Sequence, residues 1–130
     1  MPNIYRVLIV DDDKIIQFIH GKLLEKNNVS VERTFNNGKE VLNYIRFKET
    51  ANFLILLDLN MPVMDGWTFL KEIEKSPAFS ALKIIVVSSS TIDSEKVKAK
   101  KYSQVKAIFE KPINKSSIDI IIDLIKPTVS

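Results

Sequence analysis

Three consecutive aspartates, Asp11 to Asp13, directly follow an apolar strand-like segment in the sequence VLIVDDDK. Two carboxylates about 4 Å apart repel by roughly 4 kcal/mol at the effective dielectric near a protein surface. A compensating charge is therefore expected beside them. Mg2+ fits that need, because it takes one or two protein carboxylates and keeps water or phosphate oxygens as its other ligands.

Other residues that could do chemistry follow other strand-like segments. Asp58 comes after FLILL, Ser88 comes after KIIVV, and Lys111 lies just past segment 105–109. The carboxyl ends of parallel strands meet at one edge of a sheet, where ligands bind. Carboxylates, a hydroxyl, a lysine and Mg2+ suit phosphoryl transfer, with one carboxylate as the nucleophile that forms an aspartyl phosphate. Strand geometry alone does not say which carboxylate that is.

The elements that would position these residues alternate along the whole chain. Apolar runs and alternating patterns predict strands, and apolar spacing of three to four residues predicts helices. Because the strands are apolar on both faces, we expect a parallel sheet covered by helices on each side, the doubly wound α/β fold class. The predicted strands are 6–10, 29–35, 53–57, 83–87 and 105–109, and the predicted helices include 67–75, 91–101 and 115–125, the last capped by Asn114.

Composition limits the function classes. A chain of 130 residues with 45% hydrophobic and 27% charged residues is typical of one compact domain. The absence of cysteine excludes disulfides and thiolate sites, and the single His20 cannot build a histidine metal site. No apolar run reaches the 18 or so residues of a membrane span, and the first residues lack a signal peptide pattern. We therefore expect a cytoplasmic protein, and the net charge of +3 predicts neither nucleic acid nor membrane as a direct partner.

Four segments carry a family resemblance: VLIVDDDK, ILLDLNMPVMDGW, IIVVSSS and IFEKPI. In order and spacing they resemble the receiver domain of two-component response regulators, over about residues 6–125, and DLNMPVMDG is the most specific of them. The resemblance implies a flavodoxin-like sheet with strand order 2-1-3-4-5. It also implies one receiver domain over residues 1–130 that acts as a signalling phosphoacceptor and not as an enzyme. Because the chain ends straight after the last predicted helix, we expect no output domain.

The resemblance also assigns roles to single residues. It makes Asp58 the phosphoacceptor and a metal ligand, and it makes Ser88 and Lys111 the groups that hold the phosphoryl group. Mg2+ would be the cofactor. Its further ligands would be Asp12 directly, Asn60 through its backbone carbonyl and Asp11 through water.

Some positions depart from the family pattern or vary within it. Many receivers have an aromatic residue where this chain has Ile108, so an aromatic rotamer switch is not expected here, and we expect the signal to pass through loop 88–91 and the polar helix after it. Asn60 and Ser90 occupy the two positions that tune phosphate loss. Both are small and polar, which predicts an intermediate phosphate lifetime.

Ordinary structural roles account for other residues. Asp13 and Asp65 are expected to be helix-start residues, and His20 a surface or packing residue. On the last helix, Ile120 and Leu124 are expected on the solvent side. Exposed apolar residues often have no function. Here they would adjoin the lysine-rich fourth helix, on a face suited to docking or to a phosphorylation-dependent homodimer through the fourth helix, fifth strand and fifth helix.

The expected partners are a histidine kinase or phosphotransfer protein and a downstream protein target. Two alternatives remain. In a haloacid-dehalogenase-like phosphatase, Asp11 would be the nucleophile and Asp13 the acid/base, although the chain is short for that family and DLNMPVMDG would be unexplained. The other alternative is a binding module that works without phosphorylation.

Overall fold

The computed structural model describes residues 5–48, 52–89 and 93–126. Five parallel strands form one sheet in the order β2-β1-β3-β4-β5, which confirms the predicted fold class and strand order. The strands are β1 (Arg6–Val10), β2 (Val31–Phe35), β3 (Phe53–Leu57), β4 (Lys83–Ser88) and β5 (Val105–Glu110). The helices are α1 (Lys14–Lys26), α2 (Gly38–Arg46), α3 (Gly66–Glu74), α4 (Asp93–Lys100) and α5 (Lys115–Ile125).

Helices cover both faces of the sheet. Successive side chains of a strand point to opposite faces, and central β3 divides its wholly buried residues between two apolar clusters. Residues from α2, α3 and α4 complete the first cluster, and residues from α1 and α5 complete the second. Burial on both faces explains why β3 appears in the sequence as an unbroken apolar run.

The predicted helix-capping residues are found at the starts of their helices. The side chain of Asp13 accepts hydrogen bonds from the N–H groups of Ile15 and Ile16, and Asp65 accepts one from Thr68. Asn114 caps α5 as predicted. Short side-chain acceptors satisfy N–H groups that a helix leaves unpaired at its first turn. Asp13 and Asp65 are therefore helix caps.

The start of β2 differs from the prediction. Val29, predicted to begin β2, donates its N–H to the carbonyl of Leu24, and Asn28 has a φ of 64°. This turn closes α1, so β2 begins at Val31. The sequence pattern also missed a 3-10 turn at Pro77–Phe79. Within the described residues, none of the helices has the length and apolar character that a membrane span needs.

Helix α5 confirms one of the two predicted surface residues. Ile118 and Ile121 are fully buried and Ile120 is 43% exposed, as expected. Leu124 is only half-exposed, because it packs in part against the second cluster at the last helical turn. Its carbonyl there accepts a hydrogen bond from Lys83 Nζ at 2.8 Å. The end of α5 lies against the sheet, which a helical period taken alone does not predict.

Candidate functional site

The ends of four neighbouring strands bring the predicted site residues to one edge of the sheet. Val10 and Leu57 are aligned across β1 and β3, and the N–H of Asp58 donates to the carbonyl of Val10 at 2.9 Å. On the other side, the N–H of Lys111 donates to the carbonyl of Ser88 at 2.8 Å. Sheet register therefore places residues from β1, β3, β4 and β5 together.

Three carboxylates form a cluster at this edge. Asp11, Asp12 and Asp58 each offer an oxygen, and these oxygens all lie within 4.8 Å of one another. Asp11 and Asp58 are buried, whereas Asp12 is exposed. Hard oxygen donors of this kind suit Mg2+, which needs few protein ligands. Asp13 is not a member of the cluster, in agreement with its role as a cap.

Lys111 supplies positive charge inside this cluster. Its Nζ lies 2.7 Å from Asp11 Oδ2 and 3.3 Å from Asp58 Oδ2, and its side chain is 12% exposed. Burial is the largest single influence on the pKa of Lys111 and lowers it, but the two carboxylates together outweigh burial and raise that pKa. The lysine is therefore charged, and it offsets part of the repulsion between the aspartates.

The pKa of the Asp58 carboxyl group is raised in spite of this lysine. Burial, followed by the charge of Asp11, raises the pKa of Asp58 to about 6. Lys111 opposes this increase, and so does the N–H of Asn60, which donates to Asp58 Oδ1 at 3.3 Å. Strongly perturbed carboxylates in this kind of setting are typical of functional sites.

Gln17 supports the site, although the sequence analysis did not identify it. Its Nε2 donates to the backbone carbonyl of Asp11 at 2.6 Å and to Asn36 Oδ1 at 3.0 Å. Lys14 Nζ also donates to Asn36 Oδ1, at 2.6 Å. These bonds join α1 to the turn after β2 behind Asp11. A single glutamine within a helix belongs to no sequence pattern that predicts a hydrogen bond to the backbone of Asp11.

A shallow cavity of about 400 Å³ opens over the cluster. Asp58, Asn60 and Lys111 line it together with Ser89, whereas Ser88 is 2% exposed at the end of β4. Ser88 was the hydroxyl predicted from the sequence, and no role at the site was predicted for Ser89. Ser90 and Thr91, named for phosphate lifetime and for the moving loop, lie outside the described residues.

Gly66 allows α3 to begin close against the site. Its N–H donates to the carbonyl of Leu59 at 3.0 Å. A Cβ at this position would lie 2.5 Å from the backbone oxygen of Asp58 and 2.8 Å from the Cα of Leu59. Glycine permits an approach of backbone to backbone that other residues obstruct. The glycine of DLNMPVMDG is therefore part of the support for Asp58.

Ile108 and Phe109 face opposite sides of the sheet. Ile108 packs against the first cluster, which includes residues of α4, and Phe109 packs against the second cluster with α1 and α5. Phe109 therefore does not replace the aromatic residue that many receivers have at the position of Ile108.

Comparison with known proteins identifies relatives. The family model described as the response regulator receiver domain matches residues 7–123. The chemotaxis protein CheY of Bacillus subtilis is 36% identical over 74 residues, which are 57% of this chain and 60% of CheY. A two-component response regulator of Arabidopsis thaliana is 31% identical over 116 residues, 89% of this chain and 80% of that protein.

Some relatives are much longer proteins. The chain spans 11% of a gliding motility regulatory protein of Myxococcus xanthus and 12% of the sensor histidine kinase CheAY of Helicobacter pylori. The matched regions are 32% and 31% identical to this chain and cover 70% and 75% of it.

Solved structures show the same fold. A response regulator receiver protein from Dyadobacter fermentans is 25% identical and superposes with a TM-score of 0.80, covering 95% of this chain and 99% of that one. A two-component response regulator from Cytophaga hutchinsonii is 22% identical and reaches a TM-score of 0.83, covering 95% of this chain and 97% of that one. These matches do not favour the phosphatase alternative.

Proposed function

This chain belongs to the response regulator receiver family, and we propose that Asp58 is the residue on which it accepts a phosphoryl group. One observation carries the assignment. Asp58 is a buried carboxylate that lies 3.3 Å from Lys111 and within the three-aspartate cluster, beside a cavity open to a donor. Asp11 is less suited to attack, because Lys111 and the N–H of Asp13 bind its two oxygens at 2.7 and 2.9 Å. The oxygens of Asp58 are held less closely, at 3.3 Å from Lys111 and 3.3 Å from the N–H of Asn60.

The proposed transfer is a displacement at phosphorus. An oxygen of Asp58 forms a bond to the phosphorus atom of a phosphohistidine, and the bond from phosphorus to the imidazole nitrogen breaks. The electron pair of that bond stays with the imidazole, which takes up a proton. Lys111 then lies beside the added phosphoryl group and offsets its charge. We assign the hydroxyl of Ser88 the role of a donor to the same group.

The site residues fit Mg2+ as a cofactor. Asp12, Asp58 and the backbone carbonyl of Asn60 would hold the ion, with Asp11 contributing through water. The ion would neutralise charge that develops on the transferring phosphoryl oxygens. Asn60 and Ser90 would set how long the phosphoryl group persists.

An apolar surface on α1 adjoins the site and suits docking of the phosphoryl donor. Ile15, Phe18 and Ile19 are 70%, 65% and 41% exposed. Phe18 and Ile19 line a shallow groove with Pro112, and Pro112 also lines the cavity at Asp58. Large exposed side chains grouped beside a reactive residue are suited to a partner interface. We propose that a histidine kinase or phosphotransfer protein packs there.

A second surface suits the downstream target or a second copy of the chain. Ile120 on α5 and Val97 on α4 are 43% and 60% exposed, and α4 is rich in lysine. Leu124 is half-buried against the second cluster and is less exposed than Ile120 on this surface. The surface proposed for output is therefore α4, β5 and the exposed side of α5 at Ile120.

The test is direct labelling. The purified protein is incubated with Mg2+ and acetyl phosphate, and the phosphorylated residue is mapped by mass spectrometry. We expect a label on Asp58 that Asp58→Asn abolishes. A label on Asp11 with continuous turnover would instead support a phosphatase. The absence of label with acetyl phosphate and with every phosphohistidine donor tried would support a phosphorylation-independent binding module.

A further inference from the structure

His20 is a buried residue in the middle of α1 that contacts the chain just after Lys111. The side chain is 1% exposed, and its Nε2 accepts a hydrogen bond from the N–H of Ile113 at 3.2 Å. Ile113 is itself 3% exposed. The bond therefore connects α1 to the segment that carries Lys111, within the protein interior.

Packing alone does not account for a histidine at this position. Burial lowers the pKa of His20 to about 4, with the nearby charges of Asp11 and Lys111 acting in opposite directions, so the imidazole is neutral and can accept. A leucine would fill the same space at less cost but would accept no hydrogen bond. The buried N–H of Ile113 would then lose its acceptor, and a buried donor without an acceptor is costly.

Two hydrogen bonds hold the segment of Lys111 from opposite sides. Before the proline, the N–H of Lys111 donates to Ser88 on β4. After it, the N–H of Ile113 donates to His20 on α1. Between these two anchors, the side chain of Lys111 reaches Asp11 and Asp58. The anchor on α1 is a side chain that a substitution can remove.

We propose that His20 is a positioning residue of the phosphorylation site, which acts by fixing Ile113 and thereby the place of Lys111 between Asp11 and Asp58. This inference rests on the proposed function for its role in phosphoryl transfer. A displacement of about 1 Å of a charged group in an active site can cost up to about a hundredfold in rate. His20 touches neither the phosphoryl group nor the acceptor in this role.

A double-mutant cycle tests the proposal. The rate of Asp58 labelling by acetyl phosphate with Mg2+ is measured for His20→Leu, Lys111→Met and the double variant, and is normalised to the folded fraction. We expect His20→Leu to slow labelling about tenfold in the wild-type background and less than twofold in the Lys111→Met background, because coupled residues are not additive. His20→Gln, which keeps an acceptor near the position of Nε2, should restore most of the rate.

Leu24 provides the matched control. It is the other buried residue of α1, and its side chain is apolar. Leu24→Ala should lower stability with little effect on labelling of the folded protein. Equal slowing by Leu24→Ala, equal slowing by His20→Leu in both backgrounds, or an unchanged rate in folded His20→Leu would overturn the proposal.

A second readout does not depend on phosphorylation. Hydrogen exchange of the Lys111 ammonium group, followed by NMR without phosphoryl donor, reports how firmly it is held by Asp11. We expect His20→Leu to speed this exchange severalfold and Leu24→Ala to leave it unchanged. If wild-type Asp58 is never labelled, the proposed function fails, yet this measurement still decides whether His20 positions Lys111.

Discussion

The ammonium nitrogen of Lys111 lies 2.7 Å from Asp11, closer than the 3.3 Å that separates it from Asp58. The lysine therefore holds together two carboxylates that come from different strands. Both acids are buried, so they lack the water that would otherwise screen them. The balance of charge between Lys111 and the two acids determines what we expect when Lys111 or Asp58 is replaced.

Removal of Lys111 should destabilise the protein most when Mg2+ is absent. Lys111→Met leaves two buried carboxylates without their cation, and a buried charge stripped of its partner costs about 3 kcal/mol or more. Mg2+ should recover part of the loss in the variant, since it binds the same acids. Urea unfolding in EDTA and in Mg2+ measures both effects. The exposed Lys75 pairs with Glu72, so Lys75→Met should change little in either condition.

Removal of the Asp58 charge should stabilise the protein at neutral pH. Because the folded pKa is raised from 3.8 to about 6, the folded state keeps a proton that the unfolded state loses between these values. The ionised carboxylate therefore costs up to about 3 kcal/mol above pH 6, and the cost disappears as pH falls towards 4. In EDTA, Asp58→Asn should therefore raise the free energy of unfolding by about the cost that it removes.

Unfolding free energies from pH 4 to pH 8 measure this gain. Asp123→Asn is the control, since Asp123 is largely exposed on α5, and it should change stability little at any pH. A gain for Asp58→Asn that stayed constant across this range would mean that the charge of Asp58 is not its cause.

A charge on the α1 surface should block a protein donor but not a small one. Phe18→Glu should slow transfer from a cognate histidine-phosphorylated protein at least tenfold, because an unpaired carboxylate would face an apolar contact. Labelling by acetyl phosphate should be unchanged. Phe47→Glu, at a position 83% exposed on the chain after α2, is the matched control and should affect neither reaction. Equal slowing by both variants would place the donor elsewhere.

Gly66→Ala should destabilise the protein and slow labelling of Asp58. The added Cβ would meet the backbone of Asp58 and Leu59 at 2.5 and 2.8 Å, and relief of such a clash costs about 1 to 3 kcal/mol. Gly21→Ala is the contrasting control. Apart from its chain neighbours and the backbone of α1 itself, nothing lies within 4 Å of a Cβ placed at Gly21, so alanine should stabilise α1 by about 1 kcal/mol. Thermal unfolding and the labelling rate together check both variants.

Val63→Gly should stabilise the protein. Val63 has a φ of 72° and is 78% exposed, so a β-branched residue adopts a left-handed conformation there with little contact to compensate. Relief of this strain is worth roughly 1 to 2 kcal/mol, less the added freedom of glycine in the unfolded chain. Val97→Gly, within α4, should destabilise instead. A loss of stability in Val63→Gly, measured by urea unfolding, would contradict this explanation.

Much of the fold could be predicted from local patterns. The bounds of β1, β3 and α5 agree with the sequence analysis, because two-sided burial produces apolar runs and Asn114 marks a helix start. The strand order came from family resemblance, since local patterns do not encode which strands are neighbours. The convergence of Asp11, Asp58 and Lys111 was also expected, because parallel strands end at one edge of the sheet.

Contacts between distant parts of the chain were decided by the tertiary structure alone. The pairing of Lys111 with Asp11, the bond from Ile113 to His20 and the partial burial of Leu124 depend on register and packing. The sequence by itself determined which charged groups gather at the edge of the sheet. Their partners, and the raised pKa of Asp58, follow from burial and from distances of a few ångströms, to which the local pattern of residues is insensitive.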